Sequence, residues 1–148
     1  MTDTSAPAPA KTPWHLWVVG VLTLLWNGYG GYDYIMTETN NADYMAMFTE
    51  EQRTYFASLP AWEVATWALG VWGGVLGSVL LLLRSKLSMI VYAIALVGLI
   101  VSYVYLYGMT EGDRIMGQTT LMMSCVIALI AVGELAYSWW ASKKGWLR

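Results

Sequence analysis

The chain has 148 residues, 57% of them hydrophobic and only 12% charged, against about 25% charged in an ordinary soluble domain. Eight basic against ten acidic residues leave a net charge of −2 and no basic patch for phosphates, which excludes a nucleic-acid binder. The single Cys125 excludes an internal disulfide and a thiolate metal cluster, and the single His15 excludes bis-histidine haem and HExxH zinc sites. In chain order, residues 1–11 are rich in Ala, Pro, Ser and Thr, so residues 1–13 read as a disordered tail ahead of one membrane domain, 14–148. The tail is not a signal peptide. Its small residues precede the apolar run, and that run is too long for an h-region.

Four apolar stretches reach the ~20 residues that a helix needs to cross a hydrocarbon core. They are 14–36, 61–83, 88–107 and 119–141. Continuous runs such as Leu80 to Leu83 and Val126 to Ile130 exclude the alternating pattern of a membrane β-barrel. Between the first two spans, Thr49 and Gln52 have capping-box spacing. Glu50, Glu51 and Arg53 give the following segment a polar side, while Tyr55, Phe56 and Leu59 give it an apolar one, so a short interfacial helix ended by Pro60 is expected. Residues 84–87 force a tight hairpin, and 108–118 form a short connection. The expected fold is all-α: an antiparallel four-transmembrane-helix bundle.

Lys11, Arg84, Lys86, Lys143, Lys144 and Arg148 fall on one side of this topology, and only Arg53 and Arg114 on the other. The positive-inside rule then puts both termini in the cytoplasm. Trp14, Trp17, Trp139, Trp140 and Trp146 would form the inner aromatic belt, with His15 solvated beside them.

Small and polar residues mark the faces on which membrane helices touch. The second span carries overlapping GxxxG spacings at Gly70, Gly73, Gly74 and Gly77. They suit packing within one chain or a homodimer contact. Ionisable groups at depth cost about 2.5–3.5 kcal/mol and ask for a partner or a role. Glu134, in the fourth span, is either a proton-coupling or cation-binding carboxyl or a hydrogen-bonded strut between helices. Asn27, mid-way along the first span, is either part of such a site or interhelical glue. Near the outer surface, Asp33, Glu63 and Trp67 lie with Tyr103, Tyr105 and Tyr107. Carboxylates among aromatic faces suit an organic cation or a stacked sugar, and equally an ordinary interfacial belt. No nucleophile elbow, phosphate loop or metal-ligand spacing is visible, and no cofactor is implied.

The runs Leu25-Trp26-Asn27-Gly28-Tyr29-Gly30-Gly31-Tyr32-Asp33-Tyr34, Pro60-Ala61-Trp62 and Trp67 to Ser78 resemble a group of small four-span bacterial inner-membrane proteins, often labelled sugar transporters. The resemblance covers nearly all of the chain after the tail. It implies a four-helix fold in a Gram-negative inner membrane and assigns no mechanism. Small multidrug-resistance transporters are also four-span proteins, but their coupling glutamate lies in the first helix, where this chain has Asn27. Two functions stay open. The expected one is a non-enzymatic accessory or interaction module, partnered by the bilayer and by a second copy or a larger membrane complex, because a monomeric bundle with packed faces has little room for a translocation path. The other is a small transporter or binder of a neutral polyol or an organic cation, using the outer aromatic–acid site.

Overall fold

The computed structural model describes residues 11–148, and every element in it is helical. The tail expected over residues 1–13 therefore lies mostly outside the described residues. The elements are α1 (Trp14–Glu38), α2 (Ala42–Met45), α3 (Glu50–Ala57), α4 (Ala61–Leu82), α5 (Leu87–Val104), a π-helical turn (Tyr105–Met109) and α6 (Gly112–Lys143).

Three helices are long and apolar enough to cross a membrane: α4, α5 with its π turn, and α6. At 25 residues α1 has the length, but Asn27, Asp33, four glycines and three tyrosines dilute its apolarity. The capping box forms as its spacing predicts: the Thr49 hydroxyl accepts from Gln52 N at 3.2 Å, and Gln52 Oε1 accepts from Thr49 N at 3.0 Å. The helix it opens ends before Pro60. The Ser58 hydroxyl donates to the Tyr55 carbonyl at 2.7 Å and closes the last turn, while Pro60 caps α4.

The connection expected over 108–118 is mostly helix. Its first residues complete the π turn, α6 starts at Gly112, and Gly117 (φ 80°) kinks α6 within the stretch expected as a short connection. That backbone conformation strains any residue with a Cβ, so glycine is required there.

Helix α4 packs closely against α1 on one side and α5 on the other, whereas α6 leans on α5 and barely meets α1. Gly70 and Gly98 set the α4–α5 distance. A Cβ on Gly98 would stand 2.8 Å from the Thr66 carbonyl oxygen, and one on Gly70 would stand 3.5 Å from Leu99 N. At the end of the molecule where α1 begins, Leu16, Leu81, Ala141 and Leu147 form a buried cluster. The C-terminal residues close it: Arg148 N donates to the Arg84 carbonyl at 2.6 Å, Lys86 N to the Arg148 carbonyl at 3.0 Å, and Arg84 Nε to the Trp146 carbonyl at 3.0 Å. His15 is not solvated as expected. Its Nδ1 lies 2.7 Å from the Tyr137 hydroxyl, and its ring stacks on Trp140 and meets the edge of Trp146, because the C-terminal turn folds back over it.

Candidate functional site

Because α6 stands off from α1, the four long helices enclose a cavity of about 410 Å³. Trp26, Tyr29 and Gly30 of α1 line one side, Trp67, Gly70 and Val71 of α4 the second, Leu96, Leu99 and Tyr103 of α5 the third, and Ser124, Ile127 and Ala131 of α6 the fourth. The walls are mainly apolar and aromatic. The polar groups gather at two levels.

At the deeper level, Asn27 Nδ2 donates to Glu134 Oε1 at 2.6 Å, joining α1 to α6 across the cavity. The same nitrogen reaches the Thr23 carbonyl at 2.9 Å and Ser78 Oγ at 3.2 Å. Ser78 donates its proton to the Gly74 carbonyl at 2.9 Å, so the Tyr92 hydroxyl, 2.9 Å from Ser78 Oγ, is the donor in that pair. The amide thus ties α1, α4 and α6 together, and Tyr92 adds α5 through Ser78. Glu134 is only 6% exposed, and its second oxygen, Oε2, has no hydrogen-bond donor among the described residues. Gly74 makes this arrangement possible: a Cβ there would overlap the Asn27 side-chain amide.

At the outer level, the Tyr44 hydroxyl of α2 donates to Asp33 Oδ1. Loss of water and this hydrogen bond hold the Tyr44 phenol well above its usual range. Burial likewise pushes up Tyr55 of α3, whose hydroxyl pairs with Thr110 at 3.1 Å. Trp67 meets Tyr34 edge to face at 4.8 Å between centroids.

The structure divides the residues that the sequence grouped. Asp33, Trp67 and Tyr103 of the outer set line the cavity, and so do Asn27, Glu134, Gly70 and Gly74. Glu63 does not. It is the acid of α4's first turn, 5% exposed, with its carboxylate taking a hydrogen bond from the Thr66 hydroxyl at 3.0 Å. Tyr105, half-buried, meets Trp62 edge to face at 5.2 Å between centroids and does not line the cavity. Tyr107, on the π turn, sits 2.7 Å from Ser124 Oγ, while the Tyr103 hydroxyl donates to the Ser124 carbonyl at 3.0 Å, so both phenols brace the wall that Ser124 forms. Gly73 and Gly77 face Ala95 and Tyr92 of α5 instead of the cavity. Sequence reasoning missed Ser78, Tyr44 and Ser124, which share no local motif with the groups they hold.

A second hollow, about 570 Å³, lies on the surface between α3 and the start of α6. It is shallow and bordered by exposed Glu50 and Glu51, the latter bridged to Arg114 at 2.9 Å. No group of three His, Cys, Asp or Glu side chains is placed to hold a metal among the described residues. The chain matches no protein-family model, and no curated protein or solved structure matches it.

Proposed function

We propose that this chain is a non-catalytic integral membrane protein with four spans and cytoplasmic termini, set in a bacterial inner membrane, and that its cavity binds a small organic cation or neutral polyol. The cavity carries the proposal: a buried carboxyl with one oxygen that takes no hydrogen bond lines a mainly apolar space among the four long helices. A packed bundle would leave no such space, so the cavity weighs against the accessory-module reading.

Treating α1 as the fourth span has its own support. Its 25 residues reach about 37 Å, beyond the ~30 Å core. It turns Thr23 and Asn27 inwards and exposes Trp17, Val18, Val21, Leu22 and Leu25. The split of basic residues supports the orientation. The resemblance to small four-span inner-membrane proteins agrees with both.

The accessory-module reading keeps one observation. Helix α6 exposes Leu121, Met122, Val126, Leu129 and Val132, a row that suits lipid, a second copy or a partner subunit.

The test is a thermal-shift screen of amines, polyols and organic acids on protein purified in mild detergent. A ligand that binds only the native state raises its melting temperature. An amine or polyol should stabilise wild type but not Glu134→Gln. Stabilisation by an organic acid, or by no compound at all, would overturn the binding reading and favour the accessory module. Mass analysis of the purified particle would then identify the partner.

A further inference from the structure

Resting on the reading of the cavity as a cation site, we infer that its preferred occupant is a linear α,ω-diamine held between Asp33 and Glu134. Both carboxyl groups line the cavity, and no basic side chain does. Each has one oxygen already held, Asp33 Oδ1 by the Tyr44 hydroxyl and Glu134 Oε1 by Asn27. Neither Asp33 Oδ2 nor Glu134 Oε2 has a hydrogen-bond donor among the described residues. The held oxygens fix the rotamers and leave the free ones to a ligand.

Separation sets the length. Asp33 is six residues beyond Asn27 on α1, a rise of about 9 Å, and Asn27 fixes the level of Glu134. An ammonium group beside each carboxylate then requires nitrogens about 6–9 Å apart, an extended chain of about four to six carbons. The cavity that holds both acids is also lined by Trp26, Trp67, Tyr103, Leu99 and Ile127. Methylenes pack against such walls, and the aromatic faces attract the cationic ends. The cavity has room for this chain together with several waters of about 30 Å³ each.

Charge decides against the other occupants. A polyol leaves both acids without a cationic partner, and a monoamine leaves one. A diamine leaves none.

The experiment is isothermal titration of the full chain in mild detergent with butane-1,4-diamine, hexane-1,6-diamine, decane-1,10-diamine, butylamine and hexylamine. In wild type, the four- and six-carbon diamines should bind at least tenfold more tightly than the matching monoamines, and the ten-carbon diamine should bind more weakly than the six-carbon one. Asp33→Asn and Glu134→Gln should each bring the diamine to within about twofold of the monoamine, while Glu63→Gln, outside the cavity, keeps the full preference. Because the chain-length series uses unaltered protein, it stands even if a variant fails to fold. Equal binding of monoamines and diamines, abolished by Glu134→Gln, would overturn the diamine inference and leave the cation site standing. Affinity that rises steadily to ten carbons would also overturn it, since apolar area alone would then set binding. If no amine binds, the inference and the cation reading fall together.

Discussion

Replacing Gly74 with alanine tests the link between helix packing and the buried carboxyl. The new Cβ would stand 2.8 Å from Asn27 Cγ and closer still to Oδ1, where ordinary contacts begin at 3.4 Å. Asn27 would have to retreat by roughly 1 Å, out of reach of good contact with its partners. It cannot do so freely, because its Nδ2 sits 3.2 Å from Ser78 Oγ and 2.6 Å from Glu134 Oε1. Overpacking costs about 1–3 kcal/mol. Each interhelical hydrogen bond lost in the membrane adds about 0.6 kcal/mol. Alanine returns about 0.5–1 kcal/mol through its better helix propensity. The net expectation is a loss of about 1–3 kcal/mol, read as a melting temperature lower by several degrees in detergent. Gly28→Ala and Gly133→Ala are the controls, since an added Cβ meets nothing within 4 Å at either site. Both should be neutral or slightly stabilising. The clash also predicts coupling: Asn27→Ala should offset Gly74→Ala, so the double variant loses at least about 1 kcal/mol less than the sum of the singles. Equal melting of Gly74→Ala and Gly133→Ala, or strict additivity with Asn27→Ala, would refute the reasoning.

Leu147→Ala, at a site 2% exposed beneath the C-terminal turn, should cost about 2–4 kcal/mol and loosen the contact with Leu16 and Leu81, measured by the same melts. Tyr44 should make stability fall at alkaline pH. Its phenol holds its proton longer in the native state than in the unfolded chain, so its contribution is complete below pH ~10 and is lost as pH rises through the elevated native value. Tyr44→Phe should therefore melt with a shallower alkaline slope than wild type. For the topology, a reporter fused to the C-terminus should read as cytoplasmic, and a cysteine at position 41 should react with an impermeant reagent added outside. A periplasmic C-terminus would overturn the orientation.

Local features were legible in the sequence. The Thr49–Gln52 box needs only its three-residue spacing to form, and the long apolar helices needed only length and composition. The π turn and the Gly117 kink were not, because their signals are single glycines and tyrosines inside an apolar background. The site was half legible. Helical periodicity places Glu63 on one stripe with Trp67, Gly70, Gly74 and Gly77, but α4 is gripped from two sides, and residues on that stripe divide between α1, α5 and the cavity. Glu63 instead turns to Thr66 at the start of its own helix. Asn27 and Glu134 each stood out as polar groups at depth. Their 2.6 Å contact joins residues more than a hundred positions apart, and no local pattern encodes it. The cavity itself depends on α6 standing away from α1, a property of tertiary packing alone.

The claim that a ligand-accessible cavity lies among the four long helices is tested most directly by cysteine labelling. In a Cys125→Ala background, cysteines replace Ala131, which lines the cavity, and Leu129, which is 74% exposed on the outer face of the same helix. A charged thiosulfonate reacts with the cysteine thiolate, which forms only where water reaches the thiol, so it distinguishes a wet cavity from lipid. Labelling is expected at position 131, slowed by hexane-1,6-diamine, with none at position 129. No reaction at 131, or reaction at both positions at the same rate with no protection, would contradict the cavity and the function built on it.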